Sequence, residues 1–241
     1  MHTFANLRPN PSPPWADQCA AKIPILTVVR GGWKALLGVL REGALCPDAA
    51  FAKVSTLQAE HTAGIARANY FFAGRAYPAP VGPATFFMPS GREAGLSGKA
   101  SPFDTGGVTL GWSLLPWNTF APTQAKYISD HSEDITFFRE YYSKHLAAFF
   151  DSAAQYWEGA PSRRIDTRDL SNEKKWRDWT FEVRIPERVS IEHIDLYITP
   201  SMNTLLLEEE RHGAITMKKR PTVSDVPTDE AEERAFKVST S

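Results

Sequence analysis

Only two cysteines, Cys19 and Cys46, occur in the 241 residues. Their spacing fits no zinc-ligand cluster, and two residues make no disulfide framework. They are expected to be reduced thiols of a cytoplasmic protein. No apolar run approaches the roughly 20 residues that a membrane-spanning helix needs. The N-terminus carries Arg8 and several prolines but no apolar signal core, so no membrane partner is expected. An excess of one charge is also lacking: 27 Lys and Arg face 28 Asp and Glu, a formal net charge of −1. That balance gives no global attraction to nucleic acid or anionic lipid. Glycine-rich phosphate loops, the HExxH zinc motif and the GxSxG elbow are absent. The usual nucleotide-loop, zinc-protease and α/β-hydrolase readings thereby lose their support, and no metal ligands are assigned.

Aromatic residues are plentiful. Seven Trp, seven Tyr and fourteen Phe supply large surfaces for a core, and the length favours one domain with appendages. Residues 1–20 hold Pro9, Pro11, Pro13 and Pro14 and read as an irregular arm that Trp15 could pin to the body. Residues 21–210 read as a single α+β domain, and 211–241 as a charged, disordered tail.

Within the domain, Ile25 to Val29 is a β-branched run that ends at Arg30-Gly31-Gly32. Trp33, Leu36, Leu37 and Leu40 then recur at helical spacing up to Gly43. A short helix is expected within 55–67, strands over 69–73 and 84–88, and a long structured loop over 90–122. Ile135, Phe138, Tyr142, Leu146, Phe149, Ala153 and Trp157 predict one helix over 134–157, with Asp130, Ser132 or Glu133 as its cap. A polar connector follows over 162–178. From Trp179 to Ile185 the alternation is strict, with Phe181, Val183 and Ile185 on one face and Thr180, Glu182 and Arg184 on the other. Another strand is expected over 194–198. Periodicity by itself supports a mixed α/β protein.

Three segments stand out in order: Trp33 to Pro47, which ends in Arg41-Glu42-Gly43-Ala44-Leu45-Cys46-Pro47; Ala68 to Pro78, with Asn69-Tyr70-Phe71-Phe72-Ala73-Gly74-Arg75; and Glu182 to Ile194. Together they resemble the ADP-ribosyltransferase superfamily and, within it, the DarT-like toxins. The match covers about a quarter of the chain. The resemblance implies an α+β fold with a split, mostly antiparallel sheet and flanking helices. It also implies NAD as substrate, a toxin or defence role, nucleic acid or protein as acceptor, and a neutralising antitoxin as partner.

On that reading Glu182 is the catalytic glutamate, stabilising the oxocarbenium-like ribose as nicotinamide leaves; otherwise it is an exposed strand residue paired with Arg184 or Arg177. Arg30 and Gly31 are expected to meet NAD phosphate or ribose. Tyr70 and Phe72 would wall the nicotinamide or pack in the core. His61 would orient the ribose or act as a base on the acceptor, or be structural. The chain departs from the DarT pattern over 48–60, which has no glycine and only Lys53 as a cation. Arg67 or Arg75 stands in there, or that role is absent.

The stretch Lys99 to Gly107, with Asp104 at its tip, reads as a substrate loop or a plain turn. Arg163, Arg164, Arg168, Lys174, Lys175 and Arg177, interleaved with Trp176 and Trp179, suit single-stranded nucleic acid or form a solvated connector. Two other functions compete: a hydrolase using His61 or His131 with Asp104, or Cys46 as nucleophile, and a non-catalytic interaction module.

Overall fold

The computed structural model describes residues 11–23, 25–28, 32–49, 58–73, 84–103, 105, 121–158, 181–217 and 219–223. Short aromatic and β-branched runs form the strands, as their shape on a pleated surface favours. They are β1 (Ile25–Val28), β2 (Ala44–Leu45), β3 (Asn69–Ala73), β4 (Ala84–Met88), β5 (Lys99–Ser101), β6 (Glu133–Asp134), β7 (Phe181–Ile185), β8 (Val189–Ser190), β9 (Asp195–Ile198) and β10 (Thr222–Val223). The helices are α1 (Pro14–Lys22), α2 (Gly32–Glu42), α3 (Gln58–Thr62), α4 (Ala121–Asp130), α5 (Phe138–Phe149), α6 (Ala153–Glu158) and α7 (Pro200–Arg211).

Eight strands join in the order β10-β9-β4-β1-β3-β7-β5-β6, and β2 pairs with β8 in a separate ribbon. Every pairing is antiparallel except that of β9 with β10. The result is an α+β fold with mixed antiparallel sheets and flanking helices.

The inner strand β7 lies between β3 and β5 and has both faces covered, so all five of its residues are buried. On one face Phe181 meets Phe138, Tyr141, Tyr142 and His145 of α5, with ring centroids 5.0 to 5.6 Å apart. Burying such a side chain contributes about 1.5–3 kcal/mol. The opposite face of β7 therefore does not look into solvent, as simple alternation suggests; it carries a buried polar cluster.

Residues 14–20, read as part of an irregular arm, are helical. Pro14 opens α1, where its missing N–H is not needed, and Asp17 and Lys22 match the helix dipole. Arg139 of α5 then clamps the end of α1. Its Nη1 donates to the carbonyls of Ala20 (2.8 Å) and Ile23, and its Nε donates to Glu93 (2.7 Å).

The helix expected over 134–157 is broken. Ile135 N–H donates to the Gly98 carbonyl at 3.1 Å, and Glu133–Asp134 pairs with β5 as β6. Asp134, rather than Asp130, Ser132 or Glu133, caps the turn of 3-10 helix that follows (Ile135–Phe137), accepting from Thr136 N–H at 3.0 Å. At the other end Phe150 is extended, and Ser152 starts α6 by accepting from Gln155 N–H at 3.3 Å. Ser and Asp side chains that bond the backbone in this way compete with a continuous helix.

The loop expected over 90–122 contains β5 and the start of α4. At the C-terminal end, Lys219 donates to the Ile194 carbonyl (2.7 Å) and Asp195 (2.6 Å), and β10 joins the sheet, so residues 219–223 are tied down. Helix α7 follows the start signal Thr199-Pro200. Thr199 accepts from Met202 N–H at 3.4 Å.

Candidate active site

Directly opposed residues in antiparallel strands share a face. Glu182 lies opposite Phe72 of β3 and Ser101 of β5, and Arg184 lies opposite Tyr70 and Lys99. Two rows thus run side by side across three strands: Ser101, Glu182 and Phe72 in one, Lys99, Arg184 and Tyr70 in the other. Gly98 precedes β5 because the strands come close there. A Cβ on it would lie 2.5 Å from the Arg184 carbonyl oxygen.

Helix α3 supplies a second carboxyl group. Its end is a Schellman motif: Gly64 is left-handed (φ 73°), its N–H donates to the His61 carbonyl, and Ile65 N–H donates to that of Glu60. This turn presents the Ile65 carbonyl to the Tyr70 hydroxyl, which donates to it at 2.7 Å. The same hydroxyl lies 3.4 Å from Glu60 Oε2. Burial, then the negative charges of Glu60 and Glu182, push the Tyr70 phenol far above its ordinary value, so it stays neutral.

Glu60 and Glu182 are 3% and 1% exposed. The Thr105 hydroxyl sits between them, 2.8 Å from Glu60 Oε1 and 2.7 Å from Glu182 Oε1. A hydroxyl has one proton to donate and lone pairs to accept with. The Thr105 hydroxyl therefore has a single proton to share between the two carboxyl groups.

Arg184, 2% exposed, lies beside this trio with Nη1 3.7 Å from Glu182 Oε1. Its Nη2 donates to Ser101 (2.7 Å) and Ser132 (2.8 Å). Ser132 in turn donates to the Ile128 carbonyl at 2.6 Å, which ties α4 to the cluster. Arg184 Nε and Nη1 have no hydrogen-bond partner among the described residues. The site thus holds two carboxyl groups, a hydroxyl and a guanidinium with donors to spare. It can bind hydroxyl groups and stabilise developing positive charge.

The expected residues fall unevenly around it. Glu182, Tyr70 and Phe72 share one face of the sheet. The pairing of Glu182 with Arg184 is present, but it is buried rather than exposed. His61 is exposed on α3, and its neighbour Glu60 is the residue that faces Glu182. Arg30, Gly31, Arg75, Asp104 and the basic stretch 163–177 lie outside the described residues.

His131 Nδ1 is 2.8 Å from the Tyr127 carbonyl, and the two rings are 4.2 Å apart. Burial, then the nearby Tyr141, pushes the Tyr127 phenol up to about 12. Asp130 pairs with Lys126 at 2.7 Å. The Cys46 thiol is pushed up by burial, only partly offset by Arg188, the opposite of what a nucleophile needs. Among the described residues no three His, Cys, Asp or Glu gather to hold a metal ion, and no helix is long and apolar enough to cross a membrane.

Glu60, Thr105, Ser101 and Ser132 were not singled out as site residues. Thr105 lies in the 99–107 stretch that already stood out, and Glu60 adjoins the histidine that drew notice. Neither forms a motif in one dimension.

No protein-family model matches the chain, and no curated protein matches it. Among solved structures, it is similar to Thermus sp. 2.9 DarT in complex with NAD+, with 10% identity and a TM-score of 0.42, over 85% of this chain and 94% of that one. This is a weak, partial structural resemblance to a DarT-like ADP-ribosyltransferase fold.

Proposed function

We propose that the chain is an NAD-dependent ADP-ribosyltransferase, a toxin or defence effector acting on nucleic acid or protein. The observation that carries this reading is the Glu182 carboxyl group, held on a fully paired inner strand in one cluster with Arg184 and Tyr70. Heterolysis of the bond between the ribose C1 and the nicotinamide nitrogen returns the electron pair to the ring. Nicotinamide leaves neutral and positive charge builds on the ribose. A rigid carboxylate accepting from a ribose hydroxyl stabilises that charge as it grows. The acceptor X–H then bonds to C1, and its proton passes to a base or to water. The products are the ADP-ribosylated acceptor, nicotinamide and a proton.

Tyr70 and Phe72, on the same face as Glu182, suit contact with the nicotinamide end of NAD. Arg30 and Gly31 are assigned to NAD phosphate or ribose, and Arg75 is a further NAD-binding residue in this reading. Of the roles open to His61, its exposed position suits contact with the acceptor.

Nicotinamide release from NAD, followed over time with and without cell extract as a source of acceptors, tests the reading. The near-isosteric Glu182→Gln is expected to lower the rate by about a hundredfold or more when the two proteins are compared at equal folded fraction, measured by circular dichroism. Absence of both release and NAD binding in the unaltered protein overturns it.

A further inference from the structure

Two carboxyl groups buried a single hydroxyl apart are a poor way to stabilise a fold. Each loses hydration, and apolar side chains of similar volume would serve the core as well or better. Glu60 and Glu182 nevertheless converge from separate elements, α3 and β7, on the one oxygen of Thr105. That oxygen brings one proton to two acceptors. A vicinal diol brings two, one for each carboxylate, so it meets both without an added proton. Beside the pair, Arg184 Nε has no hydrogen-bond partner among the described residues.

We infer that Glu60 and Glu182 form a two-carboxylate clamp for the ribose diol of the substrate, with the Thr105 hydroxyl occupying the place of a substrate hydroxyl until it is displaced. This rests on the NAD reading above and adds to it a second substrate-holding residue, Glu60, and an internal competitor, Thr105.

The test is the KM and kcat for NAD in the unaltered protein, Thr105→Val, Thr105→Ser and Glu60→Gln, with the folded fraction of each measured by thermal melting. Removing the competing hydroxyl in Thr105→Val is expected to lower KM about three- to tenfold, and Thr105→Ser to return it to the original value. Glu60→Gln keeps the side-chain volume and can donate to Thr105, but it offers the diol only a neutral acceptor. Its KM is expected to rise about tenfold, with a smaller change in kcat. An unchanged or raised KM in Thr105→Val, or an unchanged KM in Glu60→Gln, overturns the clamp while the transferase reading stands. Should Thr105→Val fail to fold, the near-isosteric Glu60→Gln decides alone. If the unaltered protein neither binds nor cleaves NAD, the transferase reading itself has failed and the clamp falls with it.

Discussion

Glu182 and Arg184 sit two residues apart on the same face of β7, with Oε1 and Nη1 3.7 Å from one another and both side chains almost wholly buried. Removing one partner of such a pair leaves the other as an uncompensated buried charge. Arg184→Met should therefore lower the unfolding free energy by about 3–5 kcal/mol. Arg184→Lys keeps the charge but not the geometry that reaches Ser101 and Ser132, so it should recover only part of the loss. Urea denaturation of the three proteins measures both effects.

Gly98→Ala tests the close approach of β5 to β7. The added Cβ would sit 2.5 Å from a backbone oxygen, which cannot swing aside as a flexible side chain could. A loss of about 1–3 kcal/mol is expected from the forced shift. Because β5 also carries Ser101, nicotinamide release should fall in protein that remains folded. A melting curve unchanged from the original would show that the strands are further apart.

The proton count around Thr105 predicts different outcomes for two substitutions at Glu60. In Glu60→Gln the amide can donate to Thr105, which in turn donates to Glu182, so the ligand-free protein should keep its stability within about 0.5 kcal/mol. Glu60→Ala leaves the Thr105 hydroxyl and the Tyr70 side without that partner, and a loss of about 1–3 kcal/mol is expected. Guanidinium titration distinguishes them.

Asp134 gives a pH signature. Its carboxyl is held below the usual range, chiefly by the Thr136 backbone N–H, then by the Thr136 hydroxyl, with Lys99 adding a smaller attraction. Its folded pKa is depressed, so its contribution to stability is present above the unfolded value of about 3.9 and is lost as pH falls through the folded value. Asp134→Asn should lower the melting temperature at neutral and alkaline pH and change it least in acid, where the carboxyl group is already protonated, so that the acid limb of the profile becomes shallower.

Local pattern made much of the framework legible. The apolar spacing from Trp33 to Leu40 gives α2, and Gly43, left-handed at φ 66°, stops it. The runs at 69–73, 84–88, 181–185 and 195–198 are strands. Glu182 could be chosen because alternation separates it from Phe181 and Val183. The burial of its face could not be read, since that depends on α3 and Thr105 being folded over it from distant points in the chain. The same reason hid Glu60. A five-residue helix has too few positions for a periodicity, and a carboxylate next to a histidine looks like an exposed polar pair. The break at Phe150 to Ser152 was missed for a local reason: the apolar spacing runs on through it, and only the Ser152 and Gln155 side chains reveal the restart.

The two carboxyl groups of the site belong to parts of the chain with unequal lifetimes. Strand β7 is hydrogen-bonded along both edges, so its amides exchange with solvent hydrogen only when much of the sheet opens. Helix α3 is little more than one turn long, and a segment that short opens and recloses locally at small cost. Glu182 thus exchanges its place only with the sheet as a whole, whereas Glu60 depends on the shorter element, and amide exchange in α3 is expected to be faster than in β7.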